Sequence, residues 1–135
     1  MIQRFLYLLA GFILVQQNLH AQATENIISH NQETIVTDPS KGENSYKNWA
    51  VFPPKNKEIR QIILNLTFEC PDNMRCADWD YVDHLKVRQK NDTIDYEIAR
   101  MLTPYGGRFH ENWRFDWKVD ITDFSPILRD SLEVD

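Results

Sequence analysis

Glycine, cysteine and positive charge are all scarce in this chain, and each shortage removes a class of function. Only four glycines occur in 135 residues. The one adjacent pair, Gly106-Gly107, follows Pro104-Tyr105 and is not followed by Lys-Ser or Lys-Thr, so no phosphate cradle is present. No Gly-x-Ser-x-Gly elbow occurs, and no glycine follows Asp78 and Asp80 where a calcium loop would need one to turn around the ion. Beyond residue 21 the histidines are His30, His84 and His110, with no pair at metal-ligand spacing. The expectation is therefore no metal and no cofactor. The formal net charge is −5, and an acidic surface repels phosphate backbones, which argues against nucleic acid as a partner. No apolar run approaches the ~20 residues that span a bilayer.

The longest such run, Phe5–Val15 (FLYLLAGFILV), follows a single positive charge at Arg4 and precedes the small-residue boundary Leu19-His20-Ala21. That order is the layout of a cleaved export signal, expected over residues 1–21 with cleavage near Ala21 and secretion or periplasmic location as the result. Export gives the two cysteines their reading. Cys70 and Cys76 enclose five residues, and in an oxidising compartment a disulfide is the default. Closing so short a loop stabilises by roughly 2 kcal/mol in the chain-entropy model.

Residues 22–48 are rich in Asn, Gln, Ser and Thr and read as an extended polar lead-in, part strand and part loop, at the domain edge. Trp49-Ala50-Val51-Phe52 is stopped by Pro53-Pro54. From there period-two alternation dominates. Ile62, Leu64, Leu66 and Phe68 share one face. Leu85 and Val87 alternate with His84, Lys86 and Arg88. After the turn Gln89-Lys90-Asn91-Asp92, Ile94, Tyr96 and Ile98 resume the pattern. Trp113, Phe115, Trp117, Val119 and Ile121 alternate with charged residues. Because strand side chains point to opposite sides at each step, every one of these segments is expected to bury one face. Thr122–Leu128 fits a single helical turn capped by Thr122 or Asp123. Ser131–Asp135 reads as an opening strand with Leu132 and Val134 inward, so the domain spanning residues 49–135 is expected to be incomplete at its C-terminus. The fold class is all-β, an antiparallel two-sheet sandwich.

The densest polar cluster is Glu69–Tyr81, between two expected strands, where loops carry function. Asp78, Asp80 and Asp83 fit one crowded carboxylate face beside Trp79 and Tyr81, an arrangement suited to acid–base work. A disulfide-closed acidic loop with no chemistry fits the same residue types. The aromatic series Trp113, Phe115, Trp117 reads as core rather than as a sugar platform. Asn65-Leu66-Thr67 and Asn91-Asp92-Thr93 match the glycosylation sequon.

Three blocks carry a resemblance. Glu69-Cys70-Pro71, then Cys76, then Trp79-Asp80 resemble the disulfide loop and acidic segment of the peptide-N-glycosidase F family. Tyr96-Glu97-Ile98 with Thr103-Pro104-Tyr105, and Val119-Asp120-Ile121-Thr122-Asp123-Phe124, are similar to two further runs of that family in the same order. The resemblance covers roughly residues 59–135. It implies the first of two antiparallel jelly-roll sandwiches packed side by side, hydrolysing the amide between asparagine and the first N-acetylglucosamine of N-linked glycans without metal or organic cofactor. It places the catalytic carboxylate on Asp80 and assigns substrate binding to Trp79, Tyr81 and Asp78, with the Cys70–Cys76 bridge positioning the loop. Tyr81 stands where the best-known member has an arginine that meets the glycan core. The family draws a glutamate from the strand beginning at Leu132, and another glutamate and an arginine from the second sandwich. This chain alone is therefore expected to be inactive, with N-glycosylated proteins or glycopeptides and a second β-sandwich as its partners. A non-catalytic glycan- or protein-binding sandwich of the same fold is the alternative. A copper monooxygenase of related architecture is disfavoured because the necessary histidine pairs are missing.

Overall fold

The computed structural model of the chain describes residues 23–36, 40, 45–71, 76, 79–110 and 112–135. The expected export signal and Asp78 lie outside the described residues. Among those described, six strands form: β1 (Asn48–Val51), β2 (Ile63–Glu69), β3 (Val82–Gln89), β4 (Tyr96–Leu102), β5 (Arg114–Asp120) and β6 (Ser131–Val134). The only helical elements among these residues are single 3-10 turns at Gly106–Arg108 and Thr122–Phe124. The fold is all-β.

Pairing is nested: β1 with β6, β2 with β5, and β3 with β4, all antiparallel. That is the result of a long hairpin rolling up on itself, a jelly roll. β3 also pairs with β6, which joins two of the pairs into one sheet ordered β1-β6-β3-β4, while β2-β5 forms the second. The buried core is Ala50, Val87, Ile98, Ile121, Leu128, Leu132 and Val134, with Leu64 of the second sheet and Ile62, just before it, packed against it. Leu132 and Val134 sit on β6, between β1 and β3, so the alternation read there points inward as expected. Burying a leucine fully is worth about 1.5–3 kcal/mol.

The β3–β4 turn follows its chemistry. Asn91 takes a left-handed φ of 68°, a conformation asparagine tolerates. Asp92 N–H donates to Gln89 C=O at 3.0 Å, and Asp92 Oδ1 accepts from the Thr93 and Ile94 amides at 2.7 and 3.2 Å.

The described part of the lead-in holds no strand before Asn48, where β1 begins, and is pinned by hydrogen bonds: His30 Nε2 to Tyr46 C=O at 2.6 Å, and Asn48 Nδ2 donating to Ser29 C=O at 2.6 Å. Three local expectations need correction. Ile94 lies outside β4 and is exposed, because the Asp92 turn occupies its backbone. A bulge between Leu85 and Lys86 then shifts the register, so Ile98 is inward but Arg100 faces out. The turn at Thr122 is held by Asp120, whose Oδ1 accepts from Thr122 N–H at 3.0 Å, and neither Thr122 nor Asp123 is the cap. Finally, Trp117 and Val119 remain 42% exposed, and neither packs against the core although Val119 lies opposite Leu64, which does.

Candidate functional site

The Glu69–Tyr81 segment leaves the rim of the fold and is tied down at both ends. At its start Cys70 is buried, and its amide donates to Trp113 C=O at 3.0 Å, continuing the β2–β5 pairing by one step. Cys70 and Cys76 are bonded with their Cα atoms 5.7 Å apart, the disulfide that their spacing leads one to expect.

At its end the segment runs into the β3–β4 hairpin beyond the formal strands. Val82 pairs with Leu102. The Tyr81 amide then donates to Thr103 Oγ1 at 2.9 Å, and the Thr103 amide to Tyr81 C=O at 2.9 Å. Further out the rings of Trp79 and Tyr105 meet with centroids 6.2 Å apart and planes tilted by 54°. The hairpin pairing thus continues as far as Thr103, and Asp80 lies between Tyr81, which is bonded to Thr103, and Trp79, whose ring meets that of Tyr105. Asp80 is exposed and Trp79 is 64% exposed, so both face solvent at the rim. Thr103 and Tyr105 were not singled out from residue types. Their signal was the Thr-Pro-Tyr run, which carries no chemistry until the register places it opposite Trp79-Asp80-Tyr81.

Asp83 does not join Asp80 on one carboxylate face. Three residues apart, the two have opposite strand parity, and Asp83 is half-buried while Asp80 is exposed. Asp83 Oδ2 is sealed from water with no hydrogen-bond partner. Burial pushes its carboxyl above the usual aspartate value, opposed by the neighbouring His84. Trp113 Nε1 is a second sealed atom without a partner, in a tryptophan that packs with Phe109 and Phe115. Trp113 and Phe115 are thus packing residues, in line with their reading as core.

On the outward face His84 Nδ1 lies 2.7 Å from Glu97 Oε2, while Arg100 Nε donates to Glu97 Oε1 at 2.8 Å. These bonds, from Arg100 first and then His84, hold the Glu97 carboxyl down at about 2. The surface there is a closed ion-pair cluster. No group of three or more potential metal ligands occurs among the described residues. No helix among them is long and apolar enough to cross a membrane.

Over 83 residues the chain is 31% identical to peptide-N(4)-(N-acetyl-beta-D-glucosaminyl)asparagine amidase F of Elizabethkingia miricola, which marks a distant relationship. The match takes in 62% of this chain and 23% of that protein, so the chain spans under a quarter of its relative's length. No family model and no solved structure matches.

Proposed function

We propose that this chain is the N-terminal sandwich of an exported amidase that hydrolyses the bond between asparagine and N-acetylglucosamine of N-linked glycans, with Asp80 as its carboxylate. The observation that carries the reading is the mounting of Trp79-Asp80-Tyr81. A disulfide and buried Cys70 hold one side, and the paired hydrogen bonds to Thr103 hold the other. Such fixation suits a residue that must meet a substrate bond in a set geometry.

In this reaction Asp80 takes a proton from water as the water attacks the side-chain amide carbon. The carbon–nitrogen bond breaks, the leaving nitrogen is protonated, asparagine becomes aspartate, and the freed glycosylamine later loses ammonia. Trp79 and Tyr105 offer an exposed aromatic surface for the sugar, and the resemblance assigns Tyr81 and Asp78 to substrate binding as well. The proposal includes cleavage of an export signal near Ala21 and a second sandwich that completes the cleft, without which this chain is inactive.

The test uses the longer protein containing this domain. Asp80→Asn is expected to abolish deglycosylation of a denatured glycoprotein and leave the thermal melt unchanged. Retained activity rejects Asp80 as the carboxylate. Glycan binding that survives in a protein with no activity favours the alternative, a binding sandwich built on the same exposed aromatic pair.

A further inference from the structure

The rung beside Asp80 is closed by a side chain where the sheet pattern calls for main chain. In a hydrogen-bonded antiparallel pair the two residues exchange both N–H···O=C bonds. Tyr81 and Thr103 make one of them, from the Thr103 amide to Tyr81 C=O at 2.9 Å. The Tyr81 amide donates instead to the Thr103 hydroxyl, Oγ1, also at 2.9 Å. The ladder ends here for a local reason. Pro104 has no N–H to carry it further and biases Thr103 toward extended backbone. Tyr105 already leads into the 3-10 turn at Gly106–Arg108. Threonine is β-branched and stiff at χ1, so its half-buried hydroxyl is a well-placed acceptor.

We propose that Thr103 is a positioning residue for the reaction, its hydroxyl setting the direction in which the Asp80 carboxylate meets water and the amide carbon. The inference rests on the amidase reading and adds to it a residue that touches no substrate. The two bonds of this rung act on different peptide units. The Tyr81 N–H belongs to the planar unit that joins Asp80 to Tyr81, so the hydroxyl that accepts it limits how Asp80 turns about the bond leading into that unit. The main-chain bond to Tyr81 C=O holds the following unit, one residue farther from Asp80. Of the two, only the side-chain bond therefore acts directly on the catalytic carboxylate's own backbone. Serine preserves that acceptor, whereas valine keeps the branched shape and lacks it.

The experiment measures deglycosylation of a short glycopeptide by the longer protein containing this domain. Thr103→Val is expected to lower kcat about 10- to 100-fold, because misplacing a reacting group by about 1 Å costs on the order of 10²-fold. KM is expected to stay within about twofold of the parent's, since the lost bond orients the carboxylate and binds no substrate. Thr103→Ser is expected to rescue most of the lost rate. A merely structural role would lower the thermal melt and leave kcat of the folded enzyme unchanged, so melts are recorded for each variant. Parental kcat in folded Thr103→Val, or a serine variant as slow as the valine one, overturns the inference. Amide exchange in the parent protein needs no variant: the Tyr81 N–H is expected to be protected, and exchange at the rate of an unstructured chain overturns the inference as well. Asp80→Asn assayed in parallel separates the two claims. If it retains activity, the amidase reading loses its carboxylate and this inference falls with it. If it is inactive while Thr103→Val is fully active, the positioning role alone falls.

Discussion

Replacing Asp83 by asparagine should stabilise the chain at neutral pH and do nothing in acid. One carboxylate oxygen is sealed without a partner, and burial raises the pKa from 3.8. Asparagine leaves a polar atom unpaired at the same place, so the two side chains differ there by the cost of the buried charge alone. Asp83 is only half-buried, so solvent screening brings the expected cost of its charge to about 1 kcal/mol. The sign follows from proton binding. Between 3.8 and the raised folded value, the native state holds a proton that the unfolded state has released. Stability of the parent chain therefore falls as pH rises through that window and then levels off. Asparagine has no proton to lose and shows no such fall. Urea unfolding followed by tryptophan fluorescence at several pH values between 3.5 and 7 reads both curves. The variant should match its parent near pH 3.5 and exceed it by about 1 kcal/mol at pH 7, equivalent to roughly 4–8 °C in Tm. A variant that is weaker at pH 7, or a gap that does not change with pH, would refute the account.

Leu132 is 1% exposed on β6, between two strands, and Leu132→Ala should cost about 2–5 kcal/mol through the cavity it leaves, read as a lower urea midpoint. Cys76→Ser should lower stability by roughly 2 kcal/mol in non-reducing buffer. The same gap should close when parent and variant are compared under reduction.

Much of the fold was legible because alternation is a local property. Ile62–Phe68, Leu85–Val87 and Leu132–Val134 each declare an inward face without reference to any other residue. Where a turn or bulge intervened the pattern misled. Ile94 was drawn out by the Asp92 turn, and the bulge near Leu85 reversed the sides after Ile98. The exposure of Trp117 and Val119 was not legible either, since alternation says which face is apolar but not what covers it. Of the site, the cysteine spacing and the Trp79-Asp80 pair could be read directly. Thr103 and Tyr105 could not, because their partners lie more than twenty residues away in the chain.

The sequence by itself determined the class of structure and the faces of the strands, and its cysteine spacing pointed to the sulfur bridge, all consequences of short-range geometry. Tertiary structure alone decided that β1 meets β6 while β2 meets β5, and that Asp80 stands in solvent while Asp83 turns inward. Those outcomes come from long-range pairing: an antiparallel register, once set by the hairpin, fixes which side of the sheet each later residue must occupy.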